Sequence, residues 1–293
     1  MTSAPAIRTV HTVAALREQV RSWRNAGERI ALVPTMGALH AGHVALMEAG
    51  RAQARRVVVS VFVNPAQFGA TEDLSRYPRT LDSDLEKAAT AGVDLAFVPD
   101  VAQMYPEGFV TTISLDGPAL GLEADFRPTH FAGVATVVAK LLIQCQPDIA
   151  LFGEKDYQQL QVVTRLARDL DLPVQIVGVP TVREPDGLAL SSRNVYLNAH
   201  DRAAAPALHR ALQAAAAALE SGADLGPTLE AARRSVIAAG FELDYLEARH
   251  AHTLAPVATL ADGPVRLLVT ARIGTTRLID NLAVQDRHTR PTG

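Results

Sequence analysis

Apolar positions along the first part of the chain alternate between two rhythms. Val13, Leu16, Val20 and Trp23 recur at helical spacing, and Gly27 is placed to stop that helix. A short apolar stretch, Arg29–Val33, leads into a glycine-containing turn and then a helical pattern from Gly42 to about Ala54. Val57–Val63, VVVSVFV, reads as a buried strand, Arg79–Ala91 as a charged helix closed by Gly92, and Leu95–Val98 as another strand. Pro106, Gly108, Gly117, Pro118 and Gly121 punctuate residues 105–129, which predicts loops with a short strand at Val110–Ser114. Regular patterning returns with a helix at His130–Gln146, a strand at Asp148–Phe152, a helix at Lys155–Asp169 and a strand at Val174–Val179.

Strand–helix alternation of this kind predicts an α/β fold, a Rossmann-like doubly wound parallel sheet covered on both faces. The style changes after about Val182. Asp201–Gly222 reads as one long alanine-rich helix and Leu229–Ala239 as a second. Phe241–Glu247, Pro264–Ala271 and Thr276–Asn281 read as strands, with turns at Gly263 and Gly274. Pro180, Pro185 and Gly187 cluster at the change, so the expected organisation is a Rossmann-like domain at 1–183 and a smaller C-terminal α+β lid domain at 184–293.

Composition narrows the function. With 48% hydrophobic and 20% charged residues among 293, the chain can bury a core and is not intrinsically disordered. Twenty-eight basic against 31 acidic residues give a net charge of −3, which argues against coating nucleic acid or an anionic membrane. The valine-rich stretch Val57–Val63 is strand-sized, and no apolar run approaches the ~18 residues of a membrane span. A single cysteine, Cys145, excludes an intrachain disulfide and fits a reducing compartment. The first ten residues carry no signal-peptide pattern.

The chemistry begins at VPTMGALHAGH, Val33–His43, between a strand and a helix. In open parallel sheets ligands bind at this end of the strands, and a helix start favours phosphate. Gly37 and Gly42 have P-loop spacing, but His43 and Val44 replace the Lys and Ser/Thr, which argues against a P-loop NTPase. His40 and His43 remain, able to donate ring N–H groups to one phosphate while Gly42 lets it approach the backbone. A structural pair, or a metal pair lacking an obvious third ligand, are the alternatives. LFGEKDYQQL (Leu151–Leu160) supplies Lys155 as a mobile charge for polyphosphate, with Gln158 and Gln159 as donors. LALSSRN (Leu188–Asn194) supplies two hydroxyls and a guanidinium. FVNPAQF (Phe62–Phe68) adds Asn64 and Gln67. His250 and His252 read as surface residues.

PTMGALHAGH, SVFVNPAQF, YPRTLDSD, LFGEKDYQQL and LSSRN, in this order, closely resemble the pantoate–β-alanine ligase (pantothenate synthetase) family, and the resemblance runs through DYLEAR and VRLLVTARIGTTRLIDN in the tail. H-x-G-H alone is shared across a nucleotidyltransferase superfamily; its combination with GEKDYQQL and SSRN is specific. The resemblance implies ATP and magnesium, with pantoate and β-alanine as substrates, a pantoyl-adenylate intermediate, and a cytoplasmic homodimer joined through the N-terminal domain. It implies ATP binding by Met36, Gly37, Ala38, Leu39, His40, Ala41, Gly42 and His43, with His43 as proton donor. Lys155, Ser191, Ser192 and Arg193 would hold phosphates and share the catalytic work with His40 and His43. Gly153, Glu154, Asp156, Val182 and Leu190 would complete the nucleotide site. Pro34, Thr35, Asn64, Gln67 and Gln159 would face the other substrates, Gln67 near β-alanine. Leu190 stands where many members have Met, a change of similar volume. Because pyrophosphate leaves as a metal-bound anion, the chemistry asks His43 for electrostatic stabilisation more than for a proton. A relative acting on another nucleotidyl acceptor and a non-catalytic nucleotide sensor are the competing expectations.

Overall fold

The computed structural model describes residues 7–69, 74, 75 and 77–285. The chain divides into two compact units, Met1–Glu154 with Gln158–Pro180, and Lys155–Tyr157 with Thr181–Gly293. Residues 181–183, grouped by sequence with the first domain, cluster with the second unit, as do Lys155–Tyr157.

In the first unit, strands β1 (Arg8–Val10), β2 (Ile30–Thr35), β3 (Arg56–Val61), β4 (Leu95–Phe97), β5 (Ile149–Gly153) and β6 (Gln175–Val179) form one sheet in the order β1-β4-β3-β2-β5-β6. Every ladder is parallel. Helices α1 (Val13–Asn25), α2 (Ala41–Gln53), α3 (Leu81–Thr90), α4 (Val101–Met104), α5 (Glu123–Phe126), α6 (His130–Cys145) and α7 (Tyr157–Asp169) accompany it. Ile30–Val33 and Val57–Ser60 are buried at consecutive positions, as strands covered on both faces must be. Helix α2 comes close to the sheet because Gly50 lacks a side chain: a Cβ there would sit 3.3 Å from both Ala31 and Leu151. The three-residue edge strand β1 has no counterpart in the sequence pattern. The strand expected at Val110–Ser114 is absent: Val110 is 91% exposed, and Ile113 donates its N–H to Thr136 Oγ1 instead of to a neighbouring strand.

Strand order reverses between β2 and β5, the position where doubly wound sheets open toward a ligand. One residue sets where the ladder ends. The Thr35 carbonyl accepts from Phe62 on the β3 side, and that of Ile30 accepts from Asp148 on the β5 side, so even-numbered β2 residues face β5. Pro34 is the even residue with no N–H to give, and β2–β5 pairing stops at Leu32–Ala150.

The second unit carries an antiparallel sheet in the order β7 (Glu242–His250), β8 (Val265–Ile273), β9 (Thr276–Ala283), with helices α8 (Ala199–Ala204), α9 (Ala207–Glu220) and α10 (Leu225–Ala238). Leu208, Ala211, Leu212, Ala215 and Leu219 of α9 share a core with Leu267, Val269 and Leu278. The single helix expected at Asp201–Gly222 is two, because Pro206 interrupts it and becomes the N-cap of α9. Helix α10 starts earlier than its apolar pattern, with Pro227 tolerated in its first turn.

Candidate active site

The loop after β2 is organised around two imidazoles and one buried carboxylate. His40 is the N-cap of α2, and its Nδ1 accepts from the Gly42 N–H at 3.1 Å. His43 reaches back, its Nδ1 accepting from the His40 N–H at 3.3 Å, so the two rings close a reciprocal capping box. Their centroids lie 4.2 Å apart. An Nδ1 that accepts carries no proton, so each ring is the neutral tautomer with its N–H on Nε2. Gly42 also makes room for the chain itself: a Cβ would meet the His40 ring at 2.9 Å. Gly37 takes φ +82° and Ala38 φ +52°, which turns the amides of Ala38 and Leu39 onto Asp84 of α3 at 2.9 and 2.7 Å. Thr80 donates to the same carboxylate. Asp84 is fully buried, and the two amides it engages are committed to it. Thr35 is likewise committed, donating to the Ser60 carbonyl and accepting from Gly37. Pro34 ends the β2–β5 ladder, Met36 follows β2, and Ala41 opens α2.

Next to this loop, a 3-10 turn at Pro65–Gln67 presents Gln67, whose Nε2 lies 3.1 Å from Met36 Sδ. Asn64 is buried with its four hydrogen-bonding positions filled: Oδ1 accepts from Ala66 and from Tyr105, and Nδ2 donates to Gln67 Oε1 and to the Gly133 carbonyl. Burial pushes the Tyr105 phenol up to about 12, so it remains a donor. The turn rests on α6: a Cβ on Gly133 would lie 2.2 Å from the Ala66 carbonyl oxygen. The Gln67 carbonyl lies 2.9 Å from His130 Nδ1 and 3.3 Å from an Arg127 nitrogen. Gln158 donates to the Pro118 and Gly121 carbonyls and accepts from Glu123, so it holds a loop of the first unit; Gln159 is half-buried. Gly153 ends β5, where a Cβ would meet nothing within 4 Å, and Glu154 begins a short 3-10 turn.

The other cation-bearing segments belong to the second unit. Lys155 Nζ lies 3.7 Å from Asp156 Oδ1, and Asp156 is exposed. Val182 and Leu190 pair across a hairpin, the Leu190 N–H donating to the Val182 carbonyl at 3.0 Å. Arg183 bridges to Ala189 within the same hairpin. The hairpin delivers Ser191, whose Oγ accepts from the Arg193 N–H at 3.2 Å and caps a 3-10 turn starting at Ser192. Arg183 binds Asp280 of β9 with both nitrogens, at 2.7 and 2.8 Å, and also donates to the Gly187 carbonyl. Burial opposes ionisation of Asp280, but His209 at 3.6 Å and Arg183 hold its carboxyl below the usual aspartate range.

Asp84, Tyr105, Arg127, His130, Asp280 and Asn281 are supporting residues that sequence reasoning did not single out. Of the two remaining histidines considered, His252 is exposed, whereas His250 is half-buried and accepts from the His252 and Thr253 amides. Cys145 is buried, and burial pushes its thiol up to about 12, which leaves it unreactive. No helix among the described residues is long and apolar enough to cross a membrane.

Comparison with known proteins adds direct findings. The family model described as pantoate–β-alanine ligase matches residues 8–283. A pantothenate synthetase of Bradyrhizobium sp. (strain BTAi1) is 58% identical over 278 residues, covering 94% of this chain and 98% of that protein. The crystal structure of pantothenate synthetase from Thermus thermophilus superposes with a TM-score of 0.89 at 51% identity, covering 95% of this chain and 99% of that one. A pantoate–β-alanine ligase from Francisella tularensis, described as complexed with β-γ ATP and β-alanine, has a TM-score of 0.77 at 33% identity, covering 98% of this chain and 100% of that one.

Proposed function

Since the chain belongs to the pantoate–β-alanine ligase family, a group of ATP-dependent carbon–nitrogen ligases, we propose the following division of labour among its residues. The pantoate carboxylate attacks the α-phosphorus of ATP, giving pantoyl-adenylate and pyrophosphate. The β-alanine amine then attacks the acyl carbon, giving pantothenate and AMP while the amine proton leaves to solvent. His40 and His43 donate their Nε2–H groups to the α-phosphate oxygens as charge accumulates there. This rests on one observation: both Nδ1 atoms are already accepting from the backbone, which fixes the tautomer. Neither step then requires a proton from His43, because the attacking carboxylate has none to lose and pyrophosphate departs as an anion.

Lys155, Ser191, Ser192 and Arg193 hold the phosphates in this reading, and Gly153, Glu154, Asp156, Val182 and Leu190 border the nucleotide. The open space at Gly153 supports a ligand close to the backbone there. Gln67 and Gln159 bind pantoate, Gln67 also lying near β-alanine. Asn64 acts behind Gln67, since its own hydrogen bonds are complete, and the Ala38 and Leu39 amides act by shaping the loop. Among the described residues no group of three His, Cys, Asp or Glu side chains is placed to hold a metal ion. In this reading magnesium would be supplied with the nucleotide, as MgATP, and would neutralise part of the triphosphate charge. Binding both reactants in line can contribute up to about 7–11 kcal/mol to rate. The reading extends to a homodimer joined through the first unit and to a cytoplasmic location.

The test is product analysis with purified protein, ATP, magnesium, pantoate and β-alanine. AMP and pantothenate formed in equal amounts are expected. A product that retains the nucleotide, or tight ATP binding without AMP release, would refute the assignment.

A further inference from the structure

Two adjacent residues of β9, Asp280 and Asn281, each hold a segment that the proposed function assigns to phosphate binding. Successive strand residues point to opposite faces, so neighbours can serve two different segments. Asp280 grips Arg183 bidentately, and Arg183 also binds the Gly187 carbonyl, which fixes the hairpin that runs directly into Ser191, Ser192 and Arg193. On the other side, Asn281 Nδ2 donates to the Lys155 backbone carbonyl at 2.9 Å. Asn281 Oδ1 accepts from Arg266 Nε at 2.8 Å, and the Arg266 guanidinium lies 3.9 Å over the Tyr157 ring. Residues 155–157 are thus tied to the second unit at a backbone carbonyl and an aromatic face. Both acidic and amide side chains are buried, Asp280 at 5% and Asn281 at 3% exposure, and Asp280 Oδ1 also accepts the Asn281 N–H at 2.7 Å.

We propose that Asp280 and Asn281 are positioning residues for ATP: one dipeptide sets the place of the Lys155 ammonium and of the Ser191–Arg193 segment together. This rests on the functional reading above, in which Lys155 and Arg193 contact phosphate. A backbone carbonyl is an effective handle because it fixes the chain at the root of the lysine side chain and leaves the ammonium to its ligand. The arrangement also explains why Lys155–Tyr157, just beyond β5, cluster with the second unit.

The test is a double-mutant cycle read by calorimetric ATP affinity, which remains measurable when turnover is lost. Asn281→Asp keeps the acceptor for Arg266 but sets a carboxylate against the Lys155 carbonyl. It should weaken ATP binding by about tenfold in the wild-type background and by less than about twofold in Lys155→Ala, because the effect passes through Lys155. In an Arg193→Ala background the tenfold effect should persist. Equal losses in the wild-type and Lys155→Ala backgrounds, or unchanged affinity in the wild type, would overturn the proposal. If Asn281→Asp does not fold, Asn281→Ala runs the same cycle without introducing a charge. Should Lys155→Ala itself leave ATP affinity intact, the functional reading fails instead, so the two failures are distinguishable.

Discussion

The loop of residues 35–43 and the hairpin of residues 182–190 are each fastened by a buried aspartate from a distant element, yet the two carboxylates work differently. Asp84 accepts from two backbone amides and a threonine hydroxyl, so it shapes the loop through neutral donors. Asp280 binds a guanidinium, so its charge is paired and the hairpin depends on that pairing. In the proposed reading, neutral anchoring suits a loop whose imidazoles present Nε2–H groups to phosphate. Charged anchoring suits a hairpin that leads into a further arginine, Arg193. Removing either aspartate should therefore fail in its own way.

The largest effect is expected at Asp280. Asp280→Ala leaves Arg183 without its buried partner and should cost about 4 kcal/mol in chemical denaturation. The same carboxylate predicts a pH dependence. Its folded pKa lies below the ordinary value, so its stabilisation is complete above the unfolded range, near pH 4, and is lost as pH falls through the folded value. Denaturation midpoints of Asp280→Asn should respond less to acid over that window; an identical acid response would mean that the pair contributes nothing there.

The His loop should respond in chemistry first. His43→Ala is expected to lower pantoate-dependent ATP–pyrophosphate exchange about 100-fold, equivalent to about 2.7 kcal/mol. Near-normal exchange in folded protein would remove His43 from the reaction. Asp84→Asn should cost about 2 kcal/mol, since a carboxamide offers one acceptor to donors that now meet two and turns its own N–H₂ toward one of them. Exchange should fall with it, and recover in Asp84→Glu only so far as the longer carboxylate still reaches both amides.

The smallest contrast lies in two glycines that each face a histidine ring. At Gly42 an added Cβ would meet the His40 ring at 2.9 Å while the backbone φ is unstrained; at Gly187 it would meet His209 at 2.9 Å with φ at +93°. Gly42→Ala should mainly lower exchange by displacing His40. Gly187→Ala should mainly lower stability, by about 1–2 kcal/mol more than Gly42→Ala. Equal stability losses would show that the ring contact, not the backbone, dominates.

These contrasts also mark what a linear reading can reach. The central strands were legible because strands covered on both faces have to be continuously apolar, and Ile30–Val33 and Val57–Val59 are. His40 and His43 were legible because a helix start places residues three apart side by side, although Gly42 turned out to make room for a ring of the chain itself. Pro206 was visible, but the alanine run around it outweighed it. Asp84, Asp280 and Asn281 were hidden for a different reason. Their partners lie 46, 97 and 126 residues away, and no local pattern encodes a hydrogen bond across such a distance. Arg8–Val10 was too short to show any periodicity.

Pro34 carries a consequence of its own. A ring nitrogen lacks a hydrogen whatever the temperature, salt or ligand, so the seam between the second and fifth strands is unzipped at a place written into covalent structure. Neighbouring side chains can repack over time and loops can lengthen, but the sheet cannot heal that seam while this residue stands there.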